Sequence, residues 1–124
     1  MRVRCLRIVN PVTRELEEQN SSIEVGREYV VLEVLASPGR YVHLRLDLAP
    51  GVPSLWDAEM FETVDPGVPP NWVATIRDGG FLALGPARWR DGFWERYFDD
   101  DPEAIVTFEA ERTAIVGESR GLES

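Results

Sequence analysis

Hydrophobic and polar positions change their period once along this chain, near Gly85-Pro86. Ahead of that point apolar residues alternate with polar ones or form short β-branched blocks. Val3, Cys5 and the Leu6/Ile8 pair, interleaved with Arg2, Arg4 and Arg7, predict a first strand exposed on one side. Residues 10–22 are polar and carry Pro11 and Asn20, which predicts a long loop with a helical turn over 12–18 as the alternative. Glu28–Ala36 (EYVVLEVLA) predicts a strand. Ser37-Pro38-Gly39-Arg40 predicts a turn, and residues 41–47 a returning strand. In that strand Val42, Leu44 and Leu46 point one way, and Tyr41, His43, Arg45 and Asp47 the other. Short strands follow around residues 55–58 and 60–64, then a proline loop over 65–71. A second hairpin is predicted around Asp78-Gly79-Gly80, ending at Gly85-Pro86.

Beyond Gly85 the period becomes helical. Trp89, Phe93 and Tyr97 are spaced by four, as are Trp94 and Phe98, so a short helix over 91–98 carries a broad aromatic surface. Asp101-Pro102-Glu103 is a helix start: an acceptor for free N–H groups, a proline that forfeits no needed donor, and an early acid. Ala104, Ile105, Phe108, Arg112 and Ile115 then mark one face, with Gly117 as the expected stop. Five or six strands followed by two helices predict an α+β domain. A small, strongly bent antiparallel sheet or an SH3-like barrel covered by C-terminal helices suits the layout. The whole chain, 1–124, reads as a single domain: 1–85 mainly β, 86–117 the helical cover, 118–124 a tail.

Composition narrows the function classes. Twenty-two acids against thirteen basic residues give a formal charge of −9, a field that repels nucleic-acid phosphates and anionic lipid and favours a basic protein partner. No apolar run is long enough to span a membrane. The single cysteine, Cys5, precludes an internal disulfide and fits a reducing cytoplasm. All thirteen basic residues are arginines, so lysine Schiff-base chemistry and the phosphate-loop lysine are absent.

Candidate chemistry is sparse. His43 is the only histidine, so any triad must use it, and its strand position reads as a surface or rim residue. Neither His43 nor Cys5 has the partners of a zinc site. Asp99, Asp100 and Asp101 are consecutive, whereas calcium loops space their oxygens at alternate positions around a glycine. Helix capping by Asp101 explains the run, and an acidic patch is compatible with it. No cofactor fingerprint is present.

The FET beginning at Phe61, PPNW at Pro69 to Trp72, and Pro86, Trp89 and GFWERYFDDDPEA ending at Ala104 resemble small acidic bacterial proteins of unknown function. Some of those are immunity proteins of polymorphic toxin systems, in which an acidic protein binds and blocks a toxin. That resemblance implies a non-enzymatic cytoplasmic binder. Charge considerations select Asp99, Asp100, Glu95 and Glu103 as its binding acids, with Trp94 and Trp56 as aromatic anchors. Two rival readings stand beside it: a small hydrolase or ligand-binding domain using carboxylates in an aromatic-lined cleft, and an accessory domain that pairs with its own copy.

Overall fold

The computed structural model describes the backbone of residues 1–123 and the side chains of residues 1–117. Nine strands precede two helices: β1 (Arg2–Cys5), β2 (Ile8–Val9), β3 (Leu16–Glu17), β4 (Glu28–Ala36), β5 (Val42–Leu46), β6 (Leu55–Asp57), β7 (Phe61–Asp65), β8 (Trp72–Ile76), β9 (Leu82–Pro86), α1 (Phe93–Phe98) and α2 (Pro102–Glu123). Seven strands form one antiparallel sheet, and β2 and β3 form a separate two-stranded ribbon. The class is α+β, a sheet with two C-terminal helices.

Strand β4 is the trunk of the sheet. One edge pairs with β5; the other is shared, Glu28 to Val30 with β1 and Val34 to Ala36 with β9. The sheet therefore branches instead of closing into a barrel, with β6, β7 and β8 as outer strands. A register shift between Val31 and Glu33 inserts a bulge opposite β5, and bulges sharpen strand bending. The alternating arginines of β1 fall opposite acids of its neighbours: Arg4 meets Glu28 at 3.2 Å and Glu62 at 2.9 Å. These exposed pairs fix register more than they add stability.

Several expectations are corrected. The first strand breaks after Cys5, where the N–H groups of Leu6 and Arg7 both turn to the Met60 carbonyl. The loop over 10–22 holds one helical turn, earlier than the 12–18 alternative: the Arg14 amide donates to the Asn10 carbonyl at 2.9 Å, and the Asn10 side chain caps the amides of Val12 and Thr13. Arg14, at φ 65, ends that turn, and the chain runs on into β3. Strand β9 continues through Gly85 to Pro86, which stands opposite Trp72. Helix α2 runs through Gly117, which does not adopt the left-handed conformation a stop requires.

The core lies between the sheet and the helices. Leu32, Leu46, Met60 and Cys5 share one buried cluster with Trp89, Phe93, Phe108 and Ile115. On α2, Ala104, Phe108 and Ile115 are buried as their spacing predicts, Arg112 pairs with Asp47 at 2.8 Å, and Ile105 lies at the rim. The proline loop before β8 is tied to α2, because Asn71 donates to the Glu111 carboxylate at 2.7 Å.

The alternation of β5 conceals one finding. Arg45, read from the sequence as outward-facing, is 6 % exposed, and Glu33 beside it is fully buried. Its Nε donates to Glu33 at 2.7 Å and its Nη1 to the Pro53 carbonyl at 2.7 Å. Arg90 donates to the other Glu33 oxygen at 2.8 Å. Burial pulls the Arg45 guanidinium below its ordinary pKa; Glu33 opposes that shift and Arg90 adds to it. Gly85 makes room for the cluster, since a Cβ there would lie 2.7 Å from the Glu33 Cβ and 3.1 Å from Arg90 Nη2.

Candidate acidic joint between the two helices

Helix α1 docks through its rings. Trp89 packs against Phe93, Trp94 and Phe108 with centroid separations of 6.2, 5.3 and 5.4 Å. Trp94 lies over the Arg45 guanidinium, 3.7 Å from its centroid, so one tryptophan covers the buried charge cluster. Tyr97 closes on Phe108 at 4.7 Å. Phe98, at the end of the same helix, remains 50 % exposed.

The end of α1 has a specific backbone construction. The Asp100 amide donates to the Tyr97 carbonyl at 3.1 Å and the Asp101 amide to the Arg96 carbonyl at 3.0 Å. Those two bonds form a Schellman closure, with Asp100 at the position that glycine ordinarily fills. Asp100 accordingly has φ 61, in the left-handed region. Asp101 then caps α2, its Oδ1 accepting the Glu103 amide at 3.3 Å. The capping role expected of Asp101 is therefore observed. Arg96 lies 3.8 Å from Asp101, and Arg88 borders the same hollow as Asp101 and Glu103.

The other acids of the joint are exposed and unpaired. Glu95, Asp99, Asp100 and Glu103 are all at the surface. Among the described residues no ion pair or side-chain hydrogen bond engages their carboxylates. Elsewhere nine acids, Glu28, Glu33, Asp47, Asp57, Glu59, Glu62, Asp91, Glu109 and Glu111, face arginines, while the carboxylates of Glu15, Glu18, Glu24 and Asp78 have no such partner among the described residues. The left-handed backbone of Asp100 has a testable consequence. Asp100→Gly should raise stability by about 0.5–1 kcal/mol by relieving the left-handed strain, read as a higher urea midpoint with an unchanged slope.

The structure separates the two predicted anchors. Leu44 faces Trp56 across the strands and Arg45 faces Leu55, so Trp56 lies on the sheet face opposite the one Trp94 covers. Trp94 borders a hollow of about 220 Å³ with Arg90 and Glu95. Trp56 borders a separate cleft of about 520 Å³ with Tyr41 and His43. Two carboxylates do lie near that cleft. Asp57 and Glu59, however, accept from the two ends of the Arg14 guanidinium, at 2.6 and 2.5 Å. Among the described residues no three His, Cys, Asp or Glu side chains converge as a metal site. No described helix is long and apolar enough to cross a membrane.

Sequence reasoning missed Phe98 as an exposed ring, the left-handed Asp100 and the Glu33 cluster. A signal existed for two of them. Glu33 is the one acid inside the apolar part of β4, and a helix end only three residues short of the next helix demands a chain reversal near Asp100. No family model matches the chain, and neither the curated proteins nor the solved structures give a match.

Proposed function

We propose that this protein is a non-enzymatic cytoplasmic binding protein that receives a basic protein partner on the joint between α1 and α2, in the manner of the immunity proteins it resembles. The observation that carries the reading is Asp100. An aspartate occupies a left-handed position where glycine is preferred, beside Asp99 and Asp101, at a cost in local stability. Capping needs only Asp101. Unpaired carboxylates on an aromatic platform form a negative field that steers a cationic surface during encounter. Phe98 supplies an apolar contact at its centre. Trp56, on the other face, takes no part.

The partner to test is the product of the reading frame adjacent to this chain's own. Its association rate constant with the wild-type protein should fall steeply as salt rises from 50 to 500 mM, as electrostatic steering requires. The variant carrying Glu95→Gln, Asp99→Asn, Asp100→Asn and Glu103→Gln should associate roughly 10- to 100-fold more slowly at the low-salt end, with a flattened salt dependence. A salt-insensitive rate, or no complex at 50 mM salt, would overturn the proposal.

A further inference from the structure

The cleft that Trp56 borders lies at the β6 end of the sheet, between the strand edge and the β2–β3 ribbon. Its volume of about 520 Å³ falls in the range that encloses one small molecule. Val9, Pro11, Leu55 and Met60 make the lining mostly carbon, with Trp56 at its border.

Its polar groups divide into two kinds. Arg14 is fully committed: it bridges Asp57 and Glu59, and its guanidinium stacks 3.8 Å from the centroid of the Tyr41 ring. Asp57 is committed as well, its second oxygen accepting the Glu59 amide at 3.1 Å. The backbone of Arg14 is held at φ 65, a conformation few non-glycine residues adopt and one that surrounding contacts must enforce. The turn between β2 and β3 sets it here, through the Arg14 amide on the Asn10 carbonyl and the Asn10 amide on the Glu15 carbonyl, both at 2.9 Å, and the three side-chain contacts hold the guanidinium as a strap across the strand edge. The second kind is unengaged. The His43 imidazole and the hydroxyls of Tyr41 and Ser54 border the cleft, and no hydrogen bond from another described residue reaches them.

A charged ligand gains little in such a place, because Arg14 and Asp57 already answer each other. A flat uncharged ring gains on two counts: its faces meet aliphatic walls and the Tyr41 ring, and one polar substituent can reach His43, Tyr41 or Ser54. We propose that this cleft binds a neutral planar ring bearing one or two hydrogen-bonding groups, of the phenol or indole type. The cleft shares no residue with the acidic joint, so this site stands or falls separately from the protein-binding role.

The test uses His43 as a reporter, since the only histidine gives one unambiguous set of imidazole C–H resonances. Indole and phenol, titrated separately into the full chain at constant pH, should move those resonances along a saturable curve. Benzoate and benzamidine should bind at least about tenfold more weakly. Tyr41→Ser and Leu55→Asp, both at exposed positions, should each weaken indole binding about tenfold or more while leaving the circular dichroism spectrum unchanged. Arg14→Met should release Asp57 and invert the preference, so that benzamidine binds more tightly than indole. The proposal is overturned by linear, non-saturating shifts with every probe. It is equally overturned if a charged ring binds the wild-type protein as tightly as indole, or if indole affinity is unchanged in both exposed-site variants.

Discussion

Glu33→Ala should destabilise the protein by about 3–5 kcal/mol, because it strands two buried arginines without a counter-charge. Arg45 and Arg90 both donate to this one carboxylate, and their side chains are only 7 % and 9 % exposed. In water each guanidinium would be solvated; here Trp94 and the sheet exclude that option. The loss should appear as a fall of roughly 10–20 °C in Tm and as a lower urea midpoint. Glu33→Gln keeps an acceptor but not the charge, so its loss should be smaller. Equal losses for the two variants would mean that hydrogen bonding, not charge, holds the cluster. A loss under about 1 kcal/mol for Glu33→Ala would mean that the cluster is wet.

Trp89→Ala should cost a comparable 3–5 kcal/mol, through lost burial and the cavity left behind. Trp89 is 1 % exposed and touches rings on both helices, packing on Phe93 and Trp94 of α1 and on Phe108 of α2. Removing it unfastens α1 from α2, so near-ultraviolet circular dichroism should collapse further than the far-ultraviolet signal. Trp89→Phe retains a ring and should lose less. Retention of the near-ultraviolet spectrum in Trp89→Ala would show that α1 is fastened by something other than this cluster.

The hairpins, the break between the helices and the cap at Asp101 were legible in the sequence because local chemistry decides them. Alternation in residues 42–46, the two glycines after Asp78 and the Asp-Pro-Glu start each act within a few residues. What was not legible depends on neighbours distant in sequence. Arg45 sits on the polar face of its strand, and nothing near it reveals that Trp94 will cover that face. Gly85 reads locally as a strand breaker, whereas its small size serves the Glu33 cluster from the middle of β9. Trp56 and Trp94 read alike as surface aromatics, and only strand register assigns them to opposite faces. Branching of the sheet at β4 follows from that strand dividing one edge between two partners, a choice that strand-forming propensity cannot express. The candidate acids were legible for a simpler reason: exposure of consecutive charges follows from their desolvation cost. Their lack of counter-charges was not, since nine acids elsewhere in the chain found arginines.

The association rate constant of the adjacent frame's product with Asp100→Gly, set against wild type at 50 mM salt, tests the central claim most directly. The variant should fold more stably yet associate several-fold more slowly, since the strained carboxylate exists for the encounter and not for the turn. A more stable variant that associates as fast as wild type would contradict it.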